Sequence, residues 1–145
     1  MIKKFNNIFI IDDDVASQFV CERVFELLDV ANKLLFFENG KDALNYFDKT
    51  LKNIDVNKPN LILLDLDMPV MDGFEFIKSI KKHKVYNYNI TIAILATTSS
   101  HSTKVQSVKT LGVKYYISKP MNLEKMKEFC CHIESSESEN FLFID

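Results

Sequence analysis

Five short apolar runs punctuate the chain, at residues 8–11 (IFII), 34–37 (LLFF), 61–64 (LILL), 90–96 (ITIAILA) and 113–117 (VKYYI). Runs this short, rich in Ile, Leu, Val and Phe, predict strands buried on both faces. The stretches between them repeat at helical spacing instead. Ala16, Val20, Val24, Leu27 and Leu28 share one face, and Ala43, Leu44, Phe47 and Leu51 another. Gly73, Ile77 and Ile80, then Val105, Val108 and Leu111, then Leu123, Met126, Cys130 and Ile133 complete the series. Strand–helix alternation five times over predicts a five-stranded parallel sheet with helices on both faces, and right-handed crossovers leave few ways to order it. Segments 52–58 (KNIDVNK) and 83–89 (HKVYNYN) read as surface loops. Residues 1–134 therefore form one domain. Residues 135–145 follow as an acidic, Ser-rich linker (SSESEN) and an apolar tag, 141–144 (FLFI). That tag is expected to dock weakly or stay disordered, with partner binding or edge pairing as the alternative.

Composition narrows the function classes. At 145 residues and 47% hydrophobic, the chain can bury a real core. A net charge of −2 without a basic stripe argues against a nucleic-acid surface. No apolar stretch approaches the roughly 20 residues of a membrane span. The start, MIKKFNNIFI, carries the charge of a signal peptide but runs into Asp12-Asp13-Asp14 without a small-residue cleavage site, so a cytoplasmic location is expected. Cys21, Cys130 and Cys131 make neither an even disulfide set nor a C-x-x-C pair, and read as small core or surface residues in a reducing compartment. His83, His101 and His132 lack zinc-ligand spacing and read as solvated or incidental.

Chemistry concentrates where the runs end. The first finishes in Asp12-Asp13-Asp14 and the third in Asp65-Leu66-Asp67, so two parallel strands deliver carboxylates to the carboxyl edge, where open α/β sheets bind ligands. Carboxylates so crowded repel one another unless a cation intervenes. A few hard oxygen ligands with room for water suit Mg²⁺, with Mn²⁺ as the alternative; the glycine and twelfth-position glutamate of an EF-hand are missing. Helix capping would account for Asp14 on its own but not for Asp65 on the same edge. The fourth run ends in Thr97-Thr98-Ser99-Ser100 and the fifth in Ser118-Lys119-Pro120, adding hydroxyls and an ammonium. Metal, hydroxyl, lysine and a nucleophilic carboxylate are the parts that handle a phosphoryl group.

Asp12-Asp13, the box LDLDMPVMDG, Ala96-Thr97-Thr98 and Tyr116-Ile117-Ser118-Lys119-Pro120, in that order, resemble the response regulator receiver domain of two-component signalling, over roughly residues 5–133. The likeness is to its single-domain, chemotaxis-type members. It implies a flavodoxin-like sheet of order 2-1-3-4-5. It also implies Asp65 as phosphoacceptor, Asp13 as direct metal ligand and Asp12 as a ligand through water. Asp67 would complete the metal site by its backbone carbonyl. Thr97 and Lys119 would contact the phosphate, and Tyr116 would reorient on activation. Asp67 and Thr98 would tune dephosphorylation, and Lys119-Pro120 would be a cis peptide. The implied partners are a sensor histidine kinase or histidine phosphotransfer protein and an unknown output protein, with no attached output domain, nucleic acid or membrane. The domain would be a switch that assists its own phosphorylation rather than a turnover enzyme. A D-x-D phosphatase of the haloacid-dehalogenase type, with Asp65 as nucleophile and Asp67 as acid/base, is the rival, but there the acidic pair comes last. A receiver-like interaction module that works without phosphate is the third reading.

Overall fold

The computed structural model describes residues 5–97, 102–135 and 140–145. The strands are β1 (Phe5–Ile11), β2 (Ala31–Phe37), β3 (Asn60–Leu64), β4 (Ile90–Ala96), β5 (Tyr115–Ser118) and β6 (Leu142–Ile144). The helices are α1 (Val15–Leu28), α2 (Gly40–Thr50), α3 (Gly73–Lys81), α4 (Thr103–Thr110) and α5 (Leu123–Ser135). All strand pairs are parallel, in the order β2-β1-β3-β4-β5-β6. The first five form the parallel sheet that the alternation predicted, in the doubly wound, flavodoxin-like order that the resemblance implied. The sixth extends it.

Two apolar layers sandwich the sheet, because successive strand side chains point to opposite faces. One layer joins Phe9, Ile11, Ile62, Leu64 and Ile94 to Ala43 and Phe47 of α2, Phe76, Ile77 and Ile80 of α3, and Val105 and Val108 of α4. The other joins Ile8, Ile10, Leu61, Leu63 and Leu95 to Cys21, Val24 and Phe25 of α1 and Met126, Phe129, Cys130 and Ile133 of α5. Every residue of β3 is buried, which is why its sequence shows no alternation.

Short polar caps start the helices that follow β1, β2, β3 and β4. Asp14 accepts from the amides of Ala16 and Ser17, Asn39 from Asp42, Asp72 from Glu75 and Ser102 from Val105. Asp14 is thus a cap, and it frees Asp12 and Asp13 from that role.

Three expectations need correction. The buried stripe of α1 is Cys21, Val24 and Phe25; Ala16 is exposed, and Leu27 is 67% exposed. Apolar residues on all sides of this helix, with Val15 and Phe19 also exposed, blur its period. Segment 83–89 is not a plain surface loop, nor is His83 incidental. Val85 is fully buried in the 3-10 turn Lys84–Asn87, the His83 imidazole accepts from the Val85 amide, and its other nitrogen pairs with Asp48. Finally, the tag expected to dock weakly pairs with β5 as β6, and Ile144 is buried. With apolar side chains at every position of 141–144 it can be covered on both faces, as the inner strands are. Residues 136–139 of the linker and His101 lie outside the described residues.

Candidate functional site

Register builds the site. Ile11 of β1 lies opposite Leu64 of β3, and the Asp65 amide donates to the Ile11 carbonyl at 2.9 Å. The next residue of each strand, Asp12 and Asp65, therefore emerges side by side. On the other flank Ala96 lies opposite Ser118, and the Lys119 amide donates to the Ala96 carbonyl at 3.2 Å. This brings Lys119 over the same edge. The Lys119–Pro120 peptide is cis. The glycine of the LDLDMPVMDG box lets α3 start close against the strand end, since a Cβ on Gly73 would come within 2.6 Å of the Asp65 carbonyl oxygen. Between them, Val70 sits at φ 69°, unusual for a β-branched residue, and the Met71 amide donates to the Pro69 carbonyl at 2.7 Å.

Asp12 and Asp65 are 2% and 7% exposed, whereas Asp13 is exposed. One carboxylate oxygen from each of the three can be chosen so that all lie within 4.8 Å of one another. Lys119 Nζ stands 2.8 Å from Asp12 Oδ2 and 3.5 Å from Asp65 Oδ2. Asp12 Oδ1 accepts from the Asp14 amide at 2.9 Å, while Oδ2 meets Lys119 without the alignment of a hydrogen bond. The Lys119 ammonium thus faces two carboxylates, and a third, that of Asp13, lies beside them.

The electrostatics record that imbalance. Burial, and then the neighbouring Asp12 charge, raise the Asp65 carboxyl from 3.8 to about 6, against the opposing pull of Lys119. Burial alone would lower the Lys119 ammonium, but Asp12 and Asp65 outweigh it and hold its pKa above 10.5. The Cys21 thiol is pushed up to about 12, chiefly by burial and then by Asp12, so it is not a nucleophile of this site. The donor set of Asp12, Asp13 and Asp65 could hold a hard divalent cation, which would supply the missing positive charge.

The remaining candidates lie around this cluster. Thr97 is exposed at the end of β4, on a cleft of about 320 Å³ shared with Asp14, Lys119, Pro120 and Met121. Thr98 lies outside the described residues. The Asp67 amide donates to Asp65 Oδ1 at 3.4 Å, but its carboxylate turns away and accepts from Lys104 Nζ of α4 at 2.8 and 3.0 Å. Nothing in the chain pattern marks Lys104, because helix and loop meet only in three dimensions. Tyr116 is fully buried, its ring stacked on Phe143 of β6.

Comparison with known proteins finds relatives in sequence and in fold. The Arabidopsis thaliana two-component response regulator ARR17 is 26% identical over 137 residues, covering 91% of this chain and 87% of that protein. The Vibrio cholerae chemotaxis protein CheY4 superposes with a TM-score of 0.70 at 26% identity, over 89% of this chain and 98% of that one. The receiver domain of Saccharomyces cerevisiae Ssk1, crystallised with the histidine phosphotransfer signaling protein Ypd1, shares the fold at a TM-score of 0.68 and 22% identity, over 92% and 93%. The sequence profile described as the response regulator receiver domain matches residues 8–130, and the chain belongs to that family, a component of two-component signalling.

Proposed function

We propose that the protein is a phosphorylation switch in which Asp65 accepts a phosphoryl group from a phosphohistidine on a sensor kinase or phosphotransfer protein. The observation that carries this reading is the meeting of Asp12, Asp13 and Asp65 with Lys119 at one end of the sheet. A carboxylate oxygen of Asp65 attacks phosphorus, the phosphorus–nitrogen bond breaks, and the electron pair leaves with the imidazole nitrogen. Asp13, Asp12 and Asp65, with the Asp67 backbone carbonyl, would hold Mg²⁺ (or Mn²⁺), Asp12 acting through water. Bound there, the cation supplies the positive charge that lets anionic nucleophile and anionic phosphoryl group approach. Lys119 contributes the second positive charge to the phosphoryl oxygens, and Thr97 one hydroxyl hydrogen bond. Asp67 and Thr98 would tune hydrolysis of the adduct.

Output follows from movement. The new charge draws Thr97 inward and biases Tyr116, which shifts a pre-existing equilibrium of the surface made by α4 and β5 toward binding an output protein. The likeness to a receiver crystallised with a phosphotransfer protein supports a histidine-bearing donor. The test is acetyl phosphate with Mg²⁺ followed by intact mass. Wild type gains one phosphoryl group, and Asp65→Asn gains none; an unmodified wild type overturns the proposal. Many turnovers of a small phosphate ester per chain would point instead to a phosphatase.

A further inference from the structure

An edge strand presents a row of unpaired amides and carbonyls to any other chain. β5 would be such an edge, but residues 141–145 cover it. The Leu142 amide donates to the Lys114 carbonyl at 2.8 Å, and Leu142, Phe143 and Ile144 run in register with Tyr115, Tyr116 and Ile117. Alternation sends the side chains to both layers. Phe141 and Phe143 pack with the cluster that holds Tyr116 and the buried face of α4; Leu142 and Ile144 join the cluster of α5. Phe143 stacks on Tyr116 with ring centroids 5.3 Å apart, Ile144 is 3% exposed, and Lys109 Nζ lies 4.8 Å from the Phe141 ring centre. Beyond the strand the edge turns polar. Ser118 Oγ donates to the Asp145 carboxylate at 3.0 Å and itself accepts from Lys125 Nζ at 3.0 Å.

A backbone ladder, apolar slots on alternate sides and a polar terminus with a nearby cation are the parts by which sheet edges recognise extended peptides. We propose that the β5 edge between α4 and α5 is a docking groove for a partner's extended apolar segment, parallel to β5 and followed by an acidic residue, and that residues 141–145 occupy it in cis as a built-in competitor. A tethered occupant acts at an effective concentration on the order of millimolar. A partner segment then meets a groove that is open only a fraction of the time, and its apparent affinity falls by that fraction.

The test titrates an acetylated peptide, Asn-Phe-Leu-Phe-Ile-Asp, into the full chain and follows the amides of β5 by NMR. Two variants release the segment while leaving the other wall of the groove intact. Ile144→Asp puts a charge into a buried slot, and Leu142→Pro removes the amide that bonds to Lys114. Each should bind the peptide at least about tenfold more tightly than wild type, a minimum set by the cis competition. A peptide with lysine in place of its aspartate should lose most of that binding. Leu142→Pro keeps the test decisive if the aspartate unfolds the sheet. Folded variants that bind no better than wild type overturn the proposal. So does a wild-type dimer that Ile144→Asp dissociates, which would put a second copy's strand in the groove. Acetyl phosphate labelling of Asp65 on the same samples separates failure of the groove from failure of the phosphorylation reading.

Discussion

Both ends of the sheet bury polar side chains, and they treat them in opposite ways. At the amino end Asn60 is fully buried and its amide is satisfied on each side. It accepts from Asn7 Nδ2 at 3.0 Å and donates to the carbonyls of Lys58 and Tyr88 at 3.1 and 3.2 Å. A neutral group with its hydrogen bonds made ties two connections to the start of β3 and needs nothing more. At the carboxyl end Asp12 and Asp65 are nearly as buried, but they are acceptors of like charge sharing one lysine. Burial therefore does not distinguish a structural polar group from a functional one. Uncompensated charge does.

Isosteric exchange in opposite directions should break the symmetry of that comparison. Asn60→Asp replaces two donors with acceptors facing the Lys58 and Tyr88 carbonyls, and brings a charge where none is balanced. We expect a loss of about 3–5 kcal/mol in urea denaturation, the scale for an uncompensated buried charge. Asp65→Asn does the reverse, removing one of three crowded carboxylates. In chelated buffer at neutral pH it should stabilise the protein. A carboxyl raised from 3.8 to about 6 sets a ceiling of about 3 kcal/mol, and relaxation around Lys119 brings the expected gain to about 1–2 kcal/mol. Destabilisation by Asp65→Asn would mean that the cluster holds the fold together rather than straining it.

The same difference should appear as a pH dependence. The folded state binds the Asp65 proton more tightly than the unfolded chain does. Its favourable contribution is therefore complete below pH 3.8 and is lost as pH rises through about 6. The stability gap between wild type and Asp65→Asn in chelated buffer should widen from pH 4 to pH 7 in favour of the variant. Magnesium ions, which favour the ionised carboxylate, should narrow it again. A gap that is flat with pH would place the Asp65 proton outside the balance.

How much of this could be read from the chain depended on whether the cause was local. The inner strands announce themselves as unbroken apolar runs, and Asp12 and Asp65 follow directly, because parallel strands of one sheet must end on the same edge. Lys119 is legible for the same reason. Asn60 was not, since its saturation depends on carbonyls at residues 58 and 88 that fold back to it. His83 was missed likewise, pinned by Asp48 thirty-five residues away. The segment 141–144 was visible as apolar, but whether such a tag pairs with an edge depends on which strand is left at the edge. That is a property of the whole sheet.

The smallest effect belongs to a charge pair that belongs to neither end's logic. Lys104 and Asp67 meet bidentately, yet their side chains are 42% and 64% exposed. Water already solvates both, so their Coulomb gain is largely repaid by hydration and by the side-chain freedom that pairing costs. Lys104→Ala should change stability by no more than about 0.5 kcal/mol, and by less still in molar salt, where screening shortens to about 3 Å. Denaturation at low and high salt measures both terms. A loss above about 1 kcal/mol that survives high salt would mean that α4 is anchored through Asp67 to the strand end. The sharp contrast between buried and exposed carboxylates would then fail at the residue two positions beyond Asp65.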